Sequence, residues 1–188
     1  MNRFVNVGLL ALSVCSLTST TIYAQESPHV VGIQVDFSAI DTENNDNTRE
    51  LNDVTTAHYT LSYQYNINEY FAVGAGYLNG DSKSFTSIVD IFTDSELDYN
   101  AFMLSAKAQY PISKRNSFYV QINALQYDYD IIDNNEVIFS DDGSDFGFSA
   151  GWKHQYDMGI GLKIGYDVVN LGSNITINGV SVEASYRF

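Results

Sequence analysis

Three histidines, His29, His58 and His154, are the side chains here best suited to move protons near neutral pH. An acyl-transfer or hydrolytic centre would need one of them beside a hydroxyl nucleophile and an acid. His58 comes nearest, with Thr60 and Ser62 following at two-residue spacing, on one face of a strand. No deacylase or acyltransferase motif surrounds it, and phosphate-loop, dinucleotide and zinc motifs are also missing from the sequence. The run Asp141-Asp142-Gly143-Ser144-Asp145 offers hard oxygen ligands for calcium but lacks the spacing of an EF-hand loop. Cys15, the single cysteine, follows Val14 rather than the small residue a lipidation site would carry. The chemistry-bearing residues therefore predict a protein that is not an enzyme, with no cofactor and no dedicated metal centre.

The elements that would position these residues begin with an export signal. Arg3 precedes an apolar stretch over residues 4–17 and a small, polar segment over 18–24. This reads as a signal peptide over residues 1–24, cleaved after Ala24 despite the bulky Ile22 two positions before it. Cleavage would remove Cys15 and with it all thiol chemistry. The remainder, 25–188, is one domain in length. It holds no run of roughly 20 apolar residues, so no helix of it would span a bilayer. The whole chain has 14 Tyr and 11 Phe but only 2 Pro, a mix that suits strands. A formal charge of −14 argues against nucleic acid as a partner.

After Ala24 the sequence alternates with period two in eight stretches. In residues 30–39, Val31, Ile33, Val35, Phe37 and Ala39 oppose Gly32, Gln34, Asp36 and Ser38. Comparable runs cover 54–65, 70–79, 97–110, 118–129, 146–156, 160–168 and 180–188. The fifth run reverses above Ala124, where Leu125, Tyr127 and Tyr129 take the other parity; a bulge or the rim of a barrel would account for that. Gly179 interrupts the phase before the last run, which leaves the place of Ile175 and Ile177 open. An even number of strands suits a closed antiparallel barrel with both termini at one end.

A soluble eight-stranded barrel of lipocalin type would point its apolar parity inward. Here the polar parity is rich in Gly, Ser and Gln and would make a poor coat but a good packed interior. Trp152, Tyr156, Tyr110, Tyr65, Phe118 and Phe188 would form a lower aromatic girdle. The expected fold is all-β: an eight-stranded antiparallel transmembrane β-barrel. Connections over 40–53, 80–96 and 130–145 read as long external loops, and those over 66–69, 111–117 and 157–158 as short periplasmic turns. The acidic surplus falls in the long loops, which suits a solvated surface or the attraction of divalent cations. Within them residues 88–92 and 136–139 are apolar islands, read either as extensions of strand hairpins or as contacts for a partner on another cell.

The signal, the eight amphipathic strands and the final Tyr186-Arg187-Phe188 resemble the small outer-membrane barrels of Gram-negative bacteria, of the OmpA transmembrane-domain and OmpX type. The resemblance implies residence in the outer membrane, contact with its lipid and lipopolysaccharide, and a role for Tyr186 and Phe188 as the assembly signal read by the barrel-assembly machinery. An interior just wide enough for side chains would hold Lys107, Lys153, Lys163, Asp167, Glu183 and Arg187 as a charge network. Lys163 with Glu183 resembles the ionic plug of the OmpA-type barrel. Three functions stay open at this point: a structural or surface-interaction barrel acting through acidic external loops, a narrow porin-like channel, and a lipid A-modifying enzyme.

Overall fold

A computed structural model describes residues 27–42, 55–81, 95–133, 136–172 and 175–188. The signal segment with Cys15 and the cleavage point, the connections over 43–54 and 82–94, and the apolar island at 88–92 lie outside the described residues. The strands are β1 (His29–Thr42), β2 (Thr55–Asn66), β3 (Phe71–Asp81), β4 (Ser95–Pro111), β5 (Asn116–Asp133), β6 (Glu136–Gln155), β7 (Ile160–Leu171) and β8 (Ile175–Arg187). Each pairs antiparallel with the next, and β8 returns to β1, with Val30 opposite Arg187 and Thr42 opposite Ile175. The sheet is a closed barrel with no free edge.

One end of the barrel carries the short turns. Asn68 Oδ1 accepts from the backbone N–H groups of Tyr70 and Phe71 (2.8 Å each), fixing the β2–β3 turn. The β6–β7 turn closes through Gly159, whose φ of +93° few other residues adopt. Six aromatic residues ring this end with their side chains turned outward, namely Tyr65, Tyr110, Phe118, Trp152, Tyr156 and Phe188.

Through the change of level strand parity is unbroken, although the character of each parity changes. Along β5, Phe118, Val120, Ile122 and Ala124 face out, and the same outward row continues as Gln126, Asp128 and Asp130. The inward row changes the opposite way, from Gln121 and Asn123 to Leu125, Tyr127, Tyr129 and Ile131. Of the two readings of that reversal, the register runs without a bulge from Asn123 to Tyr129, and the change is one of surroundings at the rim: outside turns from lipid to water, and inside turns from polar to apolar. β3 does the same between Tyr77 and Asn79, and β8 between Val180 and Asn178. Ile175 and Ile177 thereby find their place, buried inward on the unbroken parity of Gly179, Ser181 and Glu183.

Above the change of level the inward residues form an ordinary apolar core. Ile40, Leu78, Leu97, Leu125, Leu171, Ile175 and Ile177 pack with Tyr99, Tyr127 and Ile131. The outward apolar row of β1 runs from Val31 to Ala39, eight steps of ~3.3 Å each, or roughly the height of a bilayer's apolar band once the strands tilt.

The long loop expected over 130–145 is instead the upper part of the β5–β6 hairpin. These residues are strand except for positions 134–135, which lie outside the described residues, and β5 and β6 are the longest strands at 18 and 20 residues. Paired ladder hydrogen bonds and the tilted contact of Tyr129 with Phe139 (6.1 Å between ring centres) hold the hairpin together well above the apolar band. The island at 136–139 extends the hairpin. A register shift at Ile131/Ile132 leaves Ile138 without an opposite number, so Val137 and Ile138 both face solvent.

The change of level sets a measurable boundary on β5. Ile122→Arg is expected to destabilise the barrel in lipid vesicles by about 2–4 kcal/mol, and Gln126→Arg by roughly 0–1 kcal/mol. Denaturant unfolding followed by tryptophan fluorescence measures both.

Candidate functional site

The polar lumen below the apolar core is built from alternate residues of every strand, so its chemistry follows from register. On β6, β7, β8 and β1, Lys153, Lys163, Glu183 and Gln34 lie opposite one another in a row. Lys163 Nζ meets Glu183 Oε2 at 2.5 Å, and both side chains are almost fully buried. The same ammonium stands over the ring of Tyr119, 5.3 Å from its centre, which adds a cation–π attraction. Lys107, from β4, donates to Gln64 Oε1 (2.6 Å), and Gln64 donates onward to Asn66.

One level higher sits an acidic group. Gln34 Nε2 donates to both oxygens of Asp36 (3.0 Å each) and to Asp167 (3.1 Å). Asp36 also meets His58 Nε2 at 3.2 Å, and His58 Nδ1 meets the Tyr99 hydroxyl at 2.9 Å. Tyr99 reaches His58 by lying flat across the wall. Gly80 stands between them in the register, and a Cβ there would overlap the tyrosine ring.

Lys107, Lys153, Lys163, Asp167 and Glu183 are all buried in the lumen, while Arg187 is half-buried at its turn end. Lys163 and Glu183 form one ion pair; Asp167 belongs instead to the acidic group with Asp36. Tyr186 and Phe188 point outward from the end of β8. Gln34, Gln64, Tyr99 and Tyr119 carry as much of the network as the charged residues and were not singled out from sequence. A signal was present for three of them, since Gln34 shares a parity with Asp36, Tyr99 with Lys107 and Gln64 with His58; Tyr119 had none beyond its place on the polar parity of Gln121 and Asn123.

The histidines do not assemble a nucleophilic centre. His58 has both ring nitrogens engaged, by Asp36 and by the phenol of Tyr99, and is 4% exposed, which leaves no room for a substrate. His29 sits at the rim against Tyr63 (2.7 Å) and near the ring of Phe188. His154 faces outward, bonded to Asn116 (2.8 Å) and set edge-on against Tyr156. At the turns, the guanidinium of Arg115 holds Asp157, and this hydrogen bond keeps the Asp157 carboxyl below the usual carboxylate range.

A closed eight-stranded sheet with an apolar outer band, a polar charged lumen and aromatic residues at its rim is a small transmembrane β-barrel. The chain belongs to the outer membrane protein beta-barrel domain family, whose model matches residues 7–188, and it is an outer-membrane protein. Among solved structures it is similar to the Neisserial surface protein A, NspA, at 12% identity and a TM-score of 0.70, covering 87% of this chain and 99% of that one. It is also similar to Ail, the attachment invasion locus protein of Yersinia pestis (14% identity, TM-score 0.60, 87% and 100% covered). The N-terminal barrel of Pseudomonas aeruginosa OprF follows the same fold (12% identity, TM-score 0.52, 86% and 100% covered). No curated protein matches the chain by sequence.

Breaking the central pair from one side strands a charge in the lumen. Lys163→Met is expected to cost about 3–5 kcal/mol, and Lys163→Met with Glu183→Met substantially less, because a buried pair replaced by apolar side chains loses little. Urea unfolding of the two variants in parallel provides the comparison.

Proposed function

We propose that the protein is a non-enzymatic barrel with a side-chain-filled interior that serves the outer membrane through its external rim. The observation that carries this reading is the inversion of the lumen. The charged network fills its lower part, and a core of fully buried apolar side chains closes its upper mouth. The cavity lined by both Gln34 and Leu78, between the two, measures about 40 Å³, room for a few waters at most. That arrangement favours a plug over the alternative, a narrow porin-like channel. The engaged nitrogens of His58 likewise weigh against a lipid A-modifying enzyme.

The rim offers two kinds of contact. Asp128 and Asp142 face water directly opposite each other on β5 and β6, a like-charge pair that attracts divalent cations at the lipopolysaccharide layer. Val137 and Ile138, 58% and 54% exposed, stand at the hairpin tip as an apolar contact for a partner on another cell. The solved complex of Ail holds the heparin analogue sucrose octasulfate. The carboxylates on this hairpin would repel such a polyanion, so the partner proposed for this chain is apolar or cationic. Export with cleavage after Ala24, and recognition of Tyr186 and Phe188 by the barrel-assembly machinery, complete the reading. It is supported by the outward placement of both aromatic residues at the end of β8.

Val137→Ser combined with Ile138→Ser is expected to reduce cell-to-cell adhesion severalfold while leaving detergent resistance of the cells unchanged. Unaltered adhesion would remove the hairpin tip from the proposal. Refolded protein in planar bilayers is expected to show no steady conductance, and steady conductance altered by Glu183→Ala would overturn the plug.

A further inference from the structure

We propose that the lipid-facing wall of the barrel holds one phospholipid with an ammonium headgroup, its acyl chain seated over Ala108 near the turn end. Ala108 faces outward on β4, with Phe71 opposite it on β3 and Val120 opposite it on β5. Its methyl group is thus a low floor between two larger side chains. Two residues nearer the turns, Tyr110 pairs with Phe118, and these rings frame the lower end. The result is a cavity of about 400 Å³, walled by Tyr70, Phe71, Tyr110, Phe118 and Val120. All five are exposed on the outside of the barrel.

Hydrocarbon covers the whole apolar band, so removal from water gives a lipid chain no preference for this place over another. Packing gives it. A slot left unfilled forfeits the dispersion contacts of its lining, and a chain laid into it recovers them. Phe71 and Val120 stand two strand spacings apart, ~10 Å between their backbones. Once their side chains are allowed for, that width admits a single polymethylene chain lying along the strand. A second barrel would need an interface on the order of 1,000 Å², and a slot one strand wide supplies a small part of that.

The lip of the slot narrows the headgroup. Tyr70 and Tyr110 combine apolar rings with polar tips, the composition suited to a place where lipid meets water. The Glu69 carboxylate stands at the Tyr70 hydroxyl and pushes that phenol up. Glu69 is exposed in the β2–β3 turn, so its charge meets the headgroup layer rather than hydrocarbon. A carboxylate has about four acceptor positions, and the phenol takes one of them. An ammonium group brings up to three donors and the opposite charge. Lys114 is exposed on the neighbouring β4–β5 turn, so a zwitterionic headgroup, phosphate and ammonium together, matches both signs of charge at this rim. The short-turn end of such a barrel faces the periplasm, where the adjoining leaflet is phospholipid.

The test refolds the full chain into vesicles of phosphatidylethanolamine and phosphatidylglycerol in equal parts, extracts it in maltoside detergent and weighs it by native mass spectrometry. One phosphatidylethanolamine per chain is expected to stay bound. Ala108→Phe fills the slot from its floor and is expected to lower the retained fraction at least fivefold. Ala124→Phe, outward in the same band but outside the slot, is expected to leave it unchanged. Should Ala108→Phe fail to give a strand-type circular dichroism spectrum, Ala108→Leu takes its place with the same expected direction. Glu69→Gln is expected to keep a lipid bound while reducing the preference for phosphatidylethanolamine at least threefold. Retention of no lipid by the parent chain overturns the site, and so does equal retention once the slot is filled. Preferential retention of phosphatidylglycerol overturns the headgroup assignment, as does an unchanged preference in Glu69→Gln. A lipid-free dimer that Ala108→Phe dissociates overturns the proposal by assigning the slot to a second copy of the chain.

Discussion

Within lipid, no backbone N–H or C=O can be left without a partner, and a closed sheet is one of two ways to meet that demand. Closure makes every strand depend on both neighbours, so none can slip by one residue without turning its apolar row into the lumen. The barrel therefore carries a fixed inside and outside through the apolar band and on into water. Only the medium changes along its length. The residues follow the medium: apolar outside and polar inside in the membrane, polar outside and apolar inside above it.

That inversion divides the lumen into two parts with different physics. In the membrane the interior is a narrow polar space where charge must be paired, and Lys163 with Glu183 and Asp36 with His58 do this. Above it, the interior is packed much as a soluble domain is. In both parts, large aromatic side chains lie along the wall over glycines, as Tyr99 does over Gly80 and Tyr119 over Gly165. A side chain of any size at either glycine would displace the ring. The glycine-rich inward parity is thus a packing requirement of a small barrel.

The exterior answers to the same change of level. Once β5 and β6 leave the apolar band they have no lipid to hold them, and the ladder between them supports the hairpin together with the inward ring contacts of Tyr127, Tyr129 and Phe139. An acidic surface at that end and a basic mouth at the other give the molecule a lengthwise charge separation, which is unusual only because the chain as a whole is so acidic.

Strand number, the membrane-facing parity and the inward placement of Lys107, Lys153, Lys163 and Glu183 were legible in the sequence, because period-two alternation assigns faces without reference to any other part of the chain. A pairing of Lys163 with Glu183 was suggested by their places on consecutive strands, but strand stagger left the partner open in the sequence, and the register shows the two opposite each other. What alternation could not show was where each strand leaves the membrane. The reversal in β5, the break at Gly179 within β8 and the apparent loop over 130–145 all mark that level, which is defined by eight strands together and by none alone. Tyr99 with His58, Gln34 with Asp167, and Lys153 opposite Lys163 likewise required register, because each partner is contributed by a different strand. The sequence by itself determined which way each side chain points; only the closed sheet decided what it meets there, since height and neighbours come from hydrogen-bonded pairing between distant segments.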